Sequence, residues 1–159
     1  DSPETIYGIT KLEAENAIKE ICEKYYIVRT SWLYGIHGKN FVETMISLAS
    51  KPEIKVVDDQ IGCPTSTMEL IQGILKVIEK PYGIYHVCGT GEVSWYGFAR
   101  EIFKQTGLKV NLKPCTTQEF PRPAHRPHYS TMDNTVDGTP LCKDWKEALS
   151  DYLKSRKDK

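Results

Sequence analysis

Short β-branched runs alternate with amphipathic helical stripes along the whole chain, and strands separated by helices build an α/β fold with parallel pairing. Residues 6–25 read as a helix: Ala14, Ala17, Ile18, Ile21, Cys22 and Tyr25 step down one face, while Glu13, Glu20, Glu23 and Lys24 sit mostly off it. A buried strand is expected at 26–28 and a Gly-containing loop at 31–39. A second helix carries Phe41, Val42, Met45, Ile46 and Ala49 and stops at Lys51-Pro52. Residues 54–57 alternate like a strand, and 58–64 form a polar loop. Thr65 or Ser66 can cap a third helix that turns Met68, Ile71, Ile74, Leu75 and Ile78 inward. After a strand at 84–87, Ser94 caps a fourth helix with the stripe Trp95, Phe98, Ala99, Ile102 and Phe103, which Gly107 suits as a terminator. Residues 109–112 are strand-like. Five prolines between 114 and 141 mark a long loop of the kind that binds something, and a last helix carries Trp145, Ala148, Leu149, Tyr152 and Leu153.

Composition excludes several classes. With 159 residues, 40% of them hydrophobic, the chain can bury a real core. Its 21 basic and 21 acidic residues cancel, so no global field draws it to nucleic acid or an anionic membrane. No apolar run approaches the roughly 18 residues of a membrane span. The expectation is a soluble, cytoplasmic protein. Cysteines at 22, 63, 88, 115 and 142 are odd in number and lack metal-ligand spacing, so they read as reduced, mostly buried thiols. His37, His86, His125 and His128 pair with no cysteine or acid at ligand spacing, and no metal site is assigned.

The sharpest local signal is Tyr7-Gly8-Ile9-Thr10-Lys11. On a helix, positions i and i+4 stack on one face, so a phenol and an ammonium lie together. A neighbouring cation favours phenolate, and a phenol so tuned can pass a proton to a carbonyl oxygen as hydride reaches the carbon. Taken by itself, the same spacing describes a solvated surface pair. Gly89-Thr90-Gly91 lacks the third glycine and the downstream acid of a dinucleotide fingerprint and reads as a plain strand-to-helix turn.

The flanks carry more. DSP-x-x-x-YGITKLEAE, RTSWLYG, GKNFVETM, VVDDQIGCPTST, GIYHVCGTGEVSWYGFAREIF and RPHYSTMDN occur in that order. The series resembles the C-terminal half of the dTDP-4-dehydrorhamnose reductase family, extended short-chain dehydrogenases/reductases, over residues 1 to about 153. The resemblance implies the C-terminal part of a Rossmann-like NAD(P)-binding fold plus a small α/β substrate-binding domain. Residues 1–35 would be a remnant of the dinucleotide-binding fold, and 36–159 mainly substrate domain, with some segments returning to the dinucleotide fold.

It also implies roles. Tyr7 would be the proton donor. Lys11 would hold the cofactor ribose and keep the phenol acidic. Thr30 and Ser31 would pass the nicotinamide of NADPH or NADH. Trp32 would wall the deoxyhexose in a hollow shared with Tyr7 and Lys11; the alternative is a core tryptophan. Asn40 would be a substrate amide or the N-cap before Phe41. Gln60 would reach substrate or lie in a solvated turn, and Arg126, with Arg122 second, would grip the diphosphate or be merely solvated. The reaction implied is reduction of the 4-keto group of dTDP-4-dehydro-6-deoxy-L-mannose to dTDP-L-rhamnose, a polysaccharide precursor. The family often forms homodimers, and some members use Mg2+.

Two departures stand out. The sequence contains no glycine-rich βαβ phosphate loop, and the family's hydroxyl two dozen residues before the tyrosine has no counterpart, because six residues precede Tyr7. The chain therefore reads as a fragment that does not turn over substrate alone and whose uncovered apolar edge favours self-association. Rival readings are a reductase or epimerase of another nucleotide sugar, and a non-catalytic regulatory subunit of the methionine adenosyltransferase type.

Overall fold

The computed structural model describes Pro3 and residues 5–121, 126–136 and 139–156. In chain order the elements are α1 (Ile6–Ile21), β1 (Tyr26–Arg29), β2 (Leu33–Tyr34), α2 (Phe41–Leu48), β3 (Ile54–Val57), β4 (Ile61–Gly62), β5 (Thr65–Ser66), α3 (Thr67–Val77), β6 (Gly83–His86), β7 (Val93–Ser94), α4 (Trp95–Thr106), β8 (Leu112–Cys115), β9 (Thr135–Val136), β10 (Thr139–Pro140) and α5 (Trp145–Ser155). The α/β expectation holds. β1–β6, β2–β5 and β3–β8 pair in parallel, and β4–β7 and β9–β10 antiparallel.

Local chemistry explains where the helices begin and end. Thr5, Asn40, Ser66 and Ser94 each accept the backbone N–H three residues on, which satisfies one orphan donor of the helix that follows. Gly107 closes α4 in the left-handed conformation, at φ 71°, which a glycine adopts without Cβ strain.

The main core packs α2, α4 and α5 against β3 around Phe98, which is 1% exposed. Tyr34, Val42, Met45, Ile54, Ile102, Trp145 and Leu149 surround it, and Trp145 meets the Phe98 ring edge-on at 5.7 Å. All five predicted α5 positions are buried, as are Phe98, Ala99, Ile102 and Phe103 of α4. The Tyr34 hydroxyl lies buried without a hydrogen-bond partner among the described residues, and burial pushes its pKa up. A smaller cluster joins Val77, Val87, Leu141 and Cys142.

Two predicted inward faces are not inward. α1 buries none of its residues; Ile21 is 81% exposed, and Cys22, the helix C-cap, is exposed rather than buried with the other four cysteines. On α3 the buried positions are Gly73 and Val77, where Gly73 lets Val87 approach, while Met68, Ile71, Leu75 and Ile78 are exposed. An apolar stripe marks a face that gains by being covered; the described residues do not cover these two.

The segments read as loops also hold strands. β4 lies within 58–64, and Tyr129 bridges to Ile61. β8 starts at 112, three residues later than the strand expected from 109, and holds Pro114 opposite Val56. Among the described residues β8 pairs on one side only, so the missing proline N–H costs no ladder bond.

Candidate active site

Tyr7, Lys11 and Glu15 fall on one face of α1 at successive i+4 steps. Their side chains, with Arg29, Thr30 and Met132, line an open groove of about 620 Å³. The Lys11 ammonium stands 5.5 Å from the centroid of the Tyr7 ring, over its π face. Thr30, directly after β1, also lines the groove. A phenol, an ammonium and a hydroxyl-bearing residue in one groove suit the vicinal hydroxyls of a ribose, so this donor set fits the nicotinamide-riboside end of a dinucleotide.

The wall is held by a charge pair that the sequence reading did not single out. Arg29 donates from Nε to Glu15 Oε1 at 2.7 Å and from Nη2 to Oε2 at 2.6 Å. The guanidinium holds the Glu15 carboxyl below the usual carboxylate range, and the Arg29 pKa rises in turn. An arginine closing a strand, four residues after a short helix-to-strand turn, beside an acid one helical turn past Lys11, was the available signal.

Ser31 leaves the groove: its hydroxyl donates to the Cys63 carbonyl at 2.9 Å. Hydrogen bonding between the Cys63 and Cys88 thiols lowers the pKa of Cys63 and raises that of Cys88, and the Cys88 thiol donates to the Met132 carbonyl at 3.4 Å.

Trp32 lies outside the groove, so the expected hollow shared by Tyr7, Lys11 and this indole is not formed. Its ring stacks on Trp95, centroids 3.6 Å apart and planes within 8°. Gly62 abuts the same ring so closely that a Cβ there would fall 2.4 Å from the indole. The stack is reached through a left-handed backbone at Trp32, φ 45°, the one non-glycine positive φ among the described residues.

Trp95 carries the connection onward. It lines a cavity of about 370 Å³ together with Phe41, Phe120, Lys55, Gln60 and Arg126. Gln60 is 6% exposed rather than solvated, and its Nε2 donates to Thr117 Oγ1 at 2.9 Å. Thr117 also donates from N and Oγ1 to Asp59. Burial opposes it, but these bonds hold the Asp59 carboxyl below its usual range. Lys55 is a second cation in the cavity, placed there by the outward positions of β3, and the sequence reading missed it. Arg126 lines the same cavity, while Arg122 and His125 lie outside the described residues.

Asn40 takes the capping role. Its Oδ1 accepts from Glu43 N at 3.1 Å, and its Nδ2 donates to the Gly35 carbonyl at 2.8 Å. Gly89 receives the Pro64 carbonyl where a Cβ would fall 2.0 Å away, so the Gly-Thr-Gly run is a packed turn. Among the described residues no group of three or more His, Cys, Asp or Glu side chains could hold a metal ion. No described helix is long and apolar enough to cross a membrane.

Comparison with known proteins bears on this geometry. The RmlD substrate binding domain matches residues 1–157. The spore coat polysaccharide biosynthesis protein SpsK of Bacillus subtilis is 42% identical over 157 residues, covering 97% of this chain and 56% of that protein. A dTDP-4-dehydrorhamnose reductase crystal structure from Clostridium acetobutylicum superposes with a TM-score of 0.93 at 51% identity, over 98% of this chain and 57% of that one. The Bacillus anthracis dTDP-4-dehydrorhamnose reductase in complex with NADP gives 0.91 at 44% identity, over 97% and 57%. The chain thus spans about half the length of the relatives it matches.

Proposed function

This chain belongs to the RmlD substrate-binding domain family, and on that footing we propose that it provides the proton-donating pair and the sugar-nucleotide site of a dTDP-4-dehydrorhamnose reductase. The substrate is dTDP-4-dehydro-6-deoxy-L-mannose and the product dTDP-L-rhamnose. NADPH or NADH, when bound, supplies the hydride that reaches C4. Tyr7 gives its phenolic proton to the oxygen that becomes the C4 hydroxyl. Lys11 binds ribose hydroxyls and stands as the cation beside the ring. Thr30 meets the nicotinamide side of the groove, and Ser31 supports it through the Cys63 carbonyl. Gln60 and Arg126 bind the sugar nucleotide, the guanidinium gripping diphosphate oxygens through paired N–H donors. Trp32 acts on that cavity by backing Trp95.

The carrying observation is that Tyr7 and Lys11 share one groove with Thr30 at the end of β1. Residues 1–35 belong with the dinucleotide-binding layer and 36–159 mainly with the substrate domain, with some segments returning to the dinucleotide fold. The parallel pairing of β6 with β1 supports such a return. Five free cysteines suit a reducing cytoplasm. The exposed stripes of α1 and α3 support self-association.

The test uses the protein at its full coded length, with the dTDP-4-keto sugar and NADPH. Turnover is expected, and Tyr7→Phe should lower kcat by about 10²- to 10⁴-fold while thymidine diphosphate still binds. Wild-type turnover in Tyr7→Phe overturns the assignment. An epimerase would interconvert sugars with no net NADPH consumption. The 159-residue chain alone, which has no glycine-rich phosphate loop, is expected to bind thymidine diphosphate weakly and to reduce nothing.

A further inference from the structure

α1 carries Tyr7 and Lys11, the residues proposed for proton transfer and ribose binding. The same face is joined to the end of β1 by a two-pronged contact, the Glu15–Arg29 pair at 2.7 and 2.6 Å.

The geometry of that pair is unusual for a surface contact. The side chains of Glu15 and Arg29 are 14% and 29% exposed, against 73% for Tyr7. Both prongs of the fork are used, which fixes the plane of the carboxylate as well as its distance. Glu15 stands one helical turn past Lys11 and two past Tyr7 on the same face. Arg29 is the last residue of β1, directly before Thr30. The pair therefore ties the face bearing the phenol and ammonium to the strand end that leads into Thr30 of the same groove.

We propose that the Glu15–Arg29 pair is the positioning device of the site, setting the rotation and height of α1 on β1 and so the distance of Tyr7 and Lys11 from Thr30. Neither residue takes part in proton transfer. Their effect passes through Tyr7 and Lys11, so the inference rests on the role proposed for those two. A misplacement of about 1 Å in reacting groups costs about 10²-fold in rate, so a contact that fixes both the distance and the plane of this helix face acts on the chemistry.

The test compares Glu15→Gln, Arg29→Lys and the exchanged pair Glu15→Arg with Arg29→Glu, in the full-length protein. The first keeps a hydrogen-bond acceptor and drops the charge; the second keeps the charge and loses the fork. Each single change should lower kcat, counted per folded molecule, by about 10- to 100-fold, with KM for the nucleotide sugar within about twofold, because the Gln60–Arg126 cavity is untouched. The exchanged pair should recover most of the lost kcat. A purely structural tie would lower the folded fraction and leave kcat per folded molecule unchanged, and that result overturns the proposal. So does a loss confined to KM.

A second readout needs no turnover. Amide hydrogen exchange over 6–21 should quicken in Glu15→Gln while the amides of α4 and α5 keep their protection; unchanged exchange over α1 counts against the tie. Tyr7→Phe separates the two levels. If it retains wild-type turnover, the reading of Tyr7 fails. If it abolishes turnover while Glu15→Gln and Arg29→Lys match wild type, only the positioning inference fails.

Discussion

Trp32 and Trp95 lie face to face, 3.6 Å between ring centroids and within 8° of parallel, joining the turn after β1 to the first residue of α4. The contact links two hollows. Thr30, two residues before Trp32, lines the groove of Tyr7 and Lys11, and Trp95 lines the cavity of Gln60 and Arg126. A double-mutant cycle of Trp32→Ala and Trp95→Ala, read by chemical denaturation, should return a coupling of about 0.5–1.5 kcal/mol. Additive single effects would mean that the stack contributes nothing beyond buried area.

Arg126 and Lys55 bring two cations to one cavity. Arg126→Ala should weaken thymidine diphosphate binding at least tenfold by calorimetry, and Arg126→Lys should recover only part of it, since an ammonium cannot make paired donors to a diphosphate. The wild-type affinity should also fall as salt is added.

Acid should loosen α1 early. The Glu15 carboxyl titrates below its unfolded value of 4.5 because Arg29 hydrogen-bonds it. A depressed carboxylate adds stability that is fully present above its unfolded pKa and is lost as pH falls through the folded one. Glu43, held down by Arg156 and Tyr152, acts in the same direction. Wild-type stability should therefore decline as pH drops below about 4.5, and Glu15→Gln should flatten the first part of that decline. A parallel pH profile for both proteins in urea titrations would contradict this.

Met68, Ile71, Leu75 and Ile78 form an uncovered line along α3. Light scattering after size exclusion should give a mass for the 159-residue chain that rises with concentration. Ile71→Lys with Leu75→Lys should abolish the rise, at a stability cost within about 0.5 kcal/mol per exposed site. A monomer at every concentration would refute the expectation.

The legible parts of the fold are those whose partners lie within the chain. The stripes of α2, α4 and α5 have one another and β3 to pack on, so periodicity and burial agree. The stripes of α1 and α3 show periodicity just as well, but a stripe in sequence names an apolar face without saying what covers it. Pro114 was legible as a strand breaker and is tolerated because β8 is paired on one side. At the site, spacing put Tyr7 and Lys11 together and the following strand end brought Thr30, while the Trp32–Trp95 contact joins distant stretches that no local pattern connects. Asn40 was chemically suited to either of two tasks, and only the placement of Glu43 and Gly35 decides between them.

The left-handed backbone at Trp32 makes this position a gauge of how much torsional cost the turn after β1 stores. Alanine removes the indole and keeps the unfavourable torsion; glycine removes both. The two variants should therefore differ in urea midpoint, with glycine the more stable by up to about 1–2 kcal/mol, the left-handed penalty for an L-residue. Glycine's greater freedom in the unfolded chain trims that difference. What remains is the conformational expense that the aromatic pair offsets each time the chain folds.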